Sequence, residues 1–229
     1  MQSDFSYTPH VLGEIFYYLS QSRFQNYMAY ADRDKQLAIH LYRWNVELSE
    51  SLYWPLQTVE IAFRNAIAAT LRDRFGAGWH LNGHFHRILA EEHRLKLRQA
   101  VARQKRKRKS ERPTEDAVIA DMPFGFWTSL LTARYDVPLK WNHNIRRSFP
   151  HIPRGCSRGT IAGSADRIRD IRNRIAHHEP ILHLKLDRKY GEIKTLLDWI
   201  SPDLRWFVEH SCAFDSAWRG RPPHPDTPG

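Results

Sequence analysis

Apolar residues recur at helical spacing along nearly the whole chain, and the intervals between them mark where helices start and stop. Thr8-Pro9 reads as an N-cap followed by proline at the first helical position, opening a helix through Leu12, Ile15, Phe16 and Leu19. A second helix begins near Ser20 and puts Phe24, Tyr27, Met28 and Ala31 on one stripe. Residues 34 to 75 form the longest periodic block, with Leu37, Leu41, Trp44 and Leu48 in a near-heptad seam. Pro55 lies inside that block and predicts a kink or a division near Trp54, since proline lacks the N–H a helix interior uses. The pattern resumes through Leu56, Val59, Phe63, Ile67 and Leu71 and stops at Phe75-Gly76-Ala77-Gly78.

Residues 76 to 86 read as loop, and one charged helix is predicted from about Phe85 to Lys109. Phe124-Gly125-Phe126-Trp127 opens an apolar helix reaching Tyr135, and a short one follows from Trp141 to Phe149. Five prolines and glycines between Pro150 and Gly163 predict a long loop, after which Ser164 caps the next helix and Pro180 stops it. Two more helices are predicted, Leu184 to Ile200 and Pro202 to Trp218. No repeat and no strand-like alternation of any length is present. The reading is all-α, a helical bundle with additional helices in one domain over residues 1–218, followed by a disordered Pro-rich tail at 219–229.

The helix capped at Ser164 carries Arg172-Asn173-Arg174-Ile175-Ala176-His177-His178. A guanidinium clamps phosphate through two parallel bonds, and imidazole moves protons near neutral pH. Each helical residue turns the wheel by about 100°, so Ile168, Ile171 and Ile175 share the core-facing side. Arg169, Asn173 and His177 follow one another at four-residue steps on another stripe, with Arg172 at the border. Arg172 and His177 are then about 140° apart on an ideal helix and do not converge on one phosphate. Either the helix unwinds near Ala176, or two copies pack so that each contributes groups to a shared cleft. The alternative is structural: Arg172 pairs with a carboxylate and the histidines sit against a helix C-terminus.

Composition narrows the class. A net charge of +10 on 229 residues favours an acidic partner such as nucleic acid, although charge also serves solubility. Eight Trp, nine Tyr and eleven Phe argue for a packed core rather than disorder. Two cysteines, Cys156 and Cys212, in no motif suit a reducing cytosol, and neither a secretory leader nor a membrane-length apolar run is visible. The expectation is a cytoplasmic protein with no membrane contact. The tract Arg103-Gln104-Lys105-Arg106-Lys107-Arg108-Lys109, within residues 103–112, is polar on every face and must stand in solvent or meet a polyanion. Arg103, Lys105, Arg106, Lys107, Arg108 and Lys109, with Arg169, are the candidate RNA-backbone contacts; DNA, ribosomal RNA or an acidic antitoxin is the other reading of the tract.

Several segments together resemble the Abi-like (abortive infection) proteins of the HEPN superfamily over roughly residues 10 to 200. They are 22–27, 41–45 (Leu-Tyr-Arg-Trp-Asn), 59–67 (Val-Glu-Ile-Ala-Phe-Arg-Asn-Ala-Ile), 123–127 (Pro-Phe-Gly-Phe-Trp) and 171–178. The resemblance implies an all-helical, usually dimeric bundle whose arginine, followed after four to six residues by histidine, cleaves RNA without metal or cofactor. Arg172 and His177 meet the four-residue spacing and His178 the five-residue one; His177 is preferred because it shares a face with Asn173. The implied reaction is attack of the RNA 2′-hydroxyl on the adjacent phosphorus, leaving a 2′,3′-cyclic phosphate and a 5′-hydroxyl. His177 is the proton carrier, Arg172 stabilises the non-bridging oxygens and Asn173 orients imidazole or phosphate, with His178 in support. The role implied is phage defence or a toxin, with RNA, a second copy and an antitoxin or defence partner as ligands. A non-catalytic RNA-binding or partner-binding HEPN protein is the alternative.

Glu60 and Arg64 lie one helical turn apart in an apolar stretch. They either reach the motif helix and orient its side chains or form an internal ion pair worth a few tenths of a kcal/mol. His80, His84, His86 and His93 suggest zinc by spacing alone, but no cysteine or carboxylate completes a set, so no metal is expected. Gly76-Ala77-Gly78 follows a helix rather than a strand and lacks G-K-[ST], so it reads as a helix end and not a phosphate loop.

Overall fold

The computed structural model describes residues 7–109 and 112–222, and among these every regular element is a helix. The proposed tail at 219–229 falls mostly outside the described residues. Thirteen α-helices occur in the order α1 (Pro9–Tyr18), α2 (Gln21–Tyr30), α3 (Lys35–Phe75), α4 (Gly83–Ile88), α5 (Glu91–Arg108), α6 (Glu115–Asp121) and α7 (Phe124–Ser129). They continue as α8 (Asp136–Leu139), α9 (Trp141–Ser148), α10 (Arg158–Ala176), α11 (Leu186–Ile200), α12 (Pro202–Ser211) and α13 (Phe214–Arg219). The chain groups into two compact units, with boundaries at Tyr53/Trp54 inside α3, at Asn173/Arg174 inside α10, at Lys185/Leu186 and at Ser211/Cys212.

The first unit holds the chain up to Tyr53, Arg174–Lys185 and the segment from Cys212. The Thr8 hydroxyl caps α1 at Val11 N, and Ser20 caps α2 at Arg23 N, as their sequence positions predict. Phe24 and Tyr27 of α2 are buried and both meet the Tyr42 ring of α3, whose Leu41, Trp44, Leu48 and Leu52 are buried too, with Phe16 stacked on Phe24 at 4.3 Å. Trp44 donates through Nε1 to the Ala217 carbonyl at 2.8 Å, which pins α13 to this core.

The second unit is built on the apolar stripe Val59, Phe63, Ile67 and Leu71 of α3, all fully buried. The Phe63 ring lies between Phe124 at 5.5 Å and Phe149 at 5.8 Å. The hydroxyls of Thr70 and Ser148 share a buried bond of 2.6 Å, so α3 and α9 are tied by polar as well as apolar contact. Ile161, Ala165, Ile168 and Ile171 of α10 complete the core with Ile193, Leu196 and Leu197 of α11.

Several predicted boundaries change. α3 runs unbroken through Pro55. The carbonyl that loses its helical partner to that proline belongs to Ser51, and it accepts a bond from the Cys212 thiol at 3.3 Å instead. α10 starts at Arg158, not after Ser164: Ser157 Oγ accepts from Thr160 N at 3.4 Å while Thr160 Oγ1 accepts from Ser157 N at 3.2 Å. That reciprocal cap overrides the glycines, and Ser164 lies buried on the core stripe. The predicted 85–109 helix breaks at Leu89-Ala90 into α4 and α5, and the 124–135 helix becomes α7 followed by a 3-10 turn at Ala133–Tyr135. The predicted 202–218 helix divides at Cys212-Ala213. Gly76, with φ of +83°, ends α3 as a helix terminus should.

Candidate functional site

Arg172 stands on the last full turn of α10, beside the buried Ile171. Its Nε donates to Glu60 Oε2 at 3.1 Å, and the other Glu60 oxygen accepts from Arg64 Nη2 at 2.8 Å. Arg64 also donates to the carbonyls of Glu60 and Ala120. One buried carboxylate thus bridges two guanidiniums, one internal to α3 and one on the motif helix. Arg64 is itself largely buried, and burial pulls its pKa down, as does the charge of Arg172, while Glu60 pulls it up. The net charge of the trio is +1, and the most accessible part of that charge is Arg172, whose side chain is 42% exposed.

The remaining groups of this unit are also engaged. Asn173 Oδ1 accepts from Arg172 Nη1 at 3.5 Å, the limit of a hydrogen bond. Arg169 donates to Thr128 Oγ1 at 3.0 Å and pairs with Asp166 at 3.0 Å, so its charge is already met within the unit.

His177 and His178 belong to the other unit. α10 ends at Ala176, one residue before them, so neither sits on the helical wheel; this is the unwinding the spacing allowed. Both are exposed, and His178 takes a left-handed backbone, φ of +56°, which few non-glycine residues adopt. Its N–H returns to the Ile175 carbonyl at 3.0 Å, and Glu179 N returns to Arg174 at 2.8 Å. Two side chains hold the turn from outside. Arg23 Nη1 donates to the His178 carbonyl at 2.6 Å, and Asn45 Oδ1 accepts from Ile181 N at 2.8 Å.

Arg23 and Asn45 were not among the candidates for the site. Asn45 had a legible signal: it lies four residues after Leu41 and seven before Leu52, a polar residue on the buried stripe of α3, and it is 5% exposed. Arg23 had none beyond its place in one of the segments that carry the resemblance.

The basic tract is only partly free of the core. Arg103 pairs with Asp121 at 2.9 Å and Gln104 is buried, which corrects the expectation of a helix end polar and solvated all round. Lys105 is half-buried, and Arg106, Lys107, Arg108 and Lys109 are exposed. The histidines of the 80–93 segment each have a structural partner. His80 bonds the Pro113 carbonyl, His86 bonds the His80 carbonyl and His93 bonds the Tyr135 hydroxyl, at 3.1, 2.9 and 2.8 Å; the His84 ring faces Phe75 at 6.0 Å. Among the described residues no group of three or more His, Cys, Asp or Glu side chains is placed to hold a metal ion.

A family model described as "Abi-like protein" matches residues 10–183. No curated protein and no solved structure matches the chain. Among the described residues no helix is long and apolar enough to cross a membrane.

Proposed function

The chain belongs to the Abi-like protein family, and on that premise we propose that it is a metal-independent endoribonuclease of the HEPN type, acting as a homodimer in phage defence or as a toxin. The observation that carries this reading is a guanidinium preset by a buried carboxylate in the second unit, followed along the chain by exposed histidines in the first. Arg172 is oriented by the buried Glu60 yet keeps an open edge. His177 stands in solvent immediately beyond the helix terminus.

The chemistry uses those groups as follows. The RNA 2′-oxygen attacks phosphorus and its proton passes to an imidazole, with His177 the proton carrier. The P–O5′ bond breaks, and the departing oxygen takes a proton from an imidazolium to become a 5′-hydroxyl, leaving a 2′,3′-cyclic phosphate. Charge on the non-bridging oxygens grows toward the transition state, and Arg172 meets it with parallel N–H bonds. Asn173 orients the phosphate or the imidazole, and His178, at the five-residue spacing from Arg172, supports the proton transfer. A two-fold assembly would present this short motif twice to one strand. DNA has no 2′-hydroxyl and is not a substrate.

The second reading is a non-catalytic RNA-binding or partner-binding protein, in which the Arg172–Glu60 bond is only a structural ion pair. Incubating the purified protein with single-stranded RNA in EDTA separates the two. The nuclease cleaves, leaves cyclic-phosphate ends, and dies in both Arg172→Ala and His177→Ala. Binding that persists in all three proteins without cleavage overturns it.

A further inference from the structure

We infer that the first unit carries a base-stacking subsite for an unpaired RNA nucleotide, in an open groove beside the histidine turn. The groove encloses about 840 Å³, and Tyr18, Tyr42, Tyr53, Arg23, Glu50 and His178 are among its lining residues. That volume lies within the ~300–1,000 Å³ typical of small-ligand sites. The inference rests on the ribonuclease reading and adds to it how the strand is held next to the reacting linkage.

Three features select a nucleotide over other occupants. The first is aromatic surface left in water. Tyr18 is 76% exposed and Tyr53 64%, and both line the groove, so their rings are open to an incoming ligand. Every base has a π-face, so exposed rings in a groove act as stacking platforms without demanding a sequence. The second is a fixed floor: the Tyr42 ring is held by Phe24 at 5.2 Å and by Tyr27 at 5.5 Å, so it needs little ordering when a base arrives.

The third is the polar trim. Arg23 uses Nη1 on the His178 carbonyl, and the rest of its guanidinium is available to a phosphate. Glu50 is exposed on the same wall, an acceptor for the amino or imino donors of a base or for a ribose hydroxyl. Ser20 and Ser49 add hydroxyls. An apolar helix from a partner would bury these groups unpaired, whereas a nucleotide offers matching donors and acceptors. The strand so held is single, because a base inside a duplex has both faces covered.

The test is fluorescence anisotropy with a labelled single-stranded oligoribonucleotide, 2′-O-methylated throughout so that it cannot be cut, and with the same strand annealed to its complement. The wild-type protein should prefer the single strand. The Tyr18→Ala/Tyr53→Ala double variant should bind it about tenfold or more weakly, and Tyr18→Phe/Tyr53→Phe should retain the wild-type affinity because the rings remain. Both positions are exposed, and circular dichroism melts confirm that the variants fold. Equal affinity of the alanine variant and the wild type overturns the subsite but leaves the nuclease reading standing if Arg172→Ala still abolishes cleavage. A dimer that becomes monomeric in light scattering, with RNA affinity per protomer unchanged, assigns the groove to a second copy and also overturns it. No binding by the wild type at low salt overturns the subsite and the RNA reading together.

Discussion

Replacing Glu60 by glutamine tests whether the motif arginine is held from within. The change keeps the side chain's shape but removes the charge and turns one acceptor oxygen into a donor facing a guanidinium. The two arms of the carboxylate are unequal. Toward Arg64 the side chains are 16% and 10% exposed at 2.8 Å, so water can replace little of what is lost. A buried hydrogen bond to a charged group contributes roughly 1.5–3 kcal/mol. Toward Arg172 the distance is 3.1 Å and the guanidinium is 42% exposed, so rehydration limits that arm to about 0.2–1 kcal/mol. Urea unfolding of Glu60→Gln, of Arg64→Met and Arg172→Met, and of the two double variants yields both coupling energies. The expected order is a coupling of about 2 kcal/mol to Arg64 and about 0.5 kcal/mol to Arg172. The functional consequence is out of proportion to that small second number. A guanidinium displaced by an ångström misses the developing charge, and RNA cleavage by Glu60→Gln should fall by about 10–100-fold. A zero coupling to Arg172, together with wild-type cleavage by Glu60→Gln, would reduce Glu60 to an internal helix pair and refute the reasoning.

Three further outcomes follow from the same geometry. Asn45→Ala leaves Ile181 N–H buried without its acceptor and should cost about 1–3 kcal/mol in urea unfolding while slowing cleavage more than Arg23→Ala does; unchanged stability would show that the turn does not depend on it. Changing Arg106, Lys107, Arg108 and Lys109 to glutamine should flatten the salt dependence of single-strand binding, by up to about 0.7 in log–log slope for each phosphate no longer neutralised; an identical slope would place the RNA elsewhere. Burial holds the imidazoles of His80 and His93 below their ordinary value. The unfolded chain therefore takes up protons first as pH falls below about 6.5, and stability should decline from there toward the lower folded-state values. Denaturant midpoints from pH 8 to 5 check this. His80→Asn should weaken the dependence, and a wild-type midpoint constant over that range would contradict it.

What the residues disclose in advance divides by range of interaction. Thr8-Pro9 and Ser20 announce α1 and α2 because a cap is made within three residues of itself. Pro180 announces the end of the motif helix for the same reason, and the helix stops at Ala176, which dissolves the wheel argument that set Arg172 and His177 about 140° apart. Pro55 does not divide the helix, because its rule counts the helical bond missing at Ser51 and cannot see the thiol of Cys212, far along the chain, that takes its place. The glycines before Ser164 mislead because the cap formed by Ser157 and Thr160 outweighs them. Glu60 is the instructive case. Its i,i+4 partner Arg64 was legible on the helix, yet the choice between an internal pair and a support for Arg172 presumed that only one held. A carboxylate has two oxygens with lone pairs to spare, so both hold. Local chemistry therefore limits what a residue can do, and long-range packing decides how much of that capacity is used.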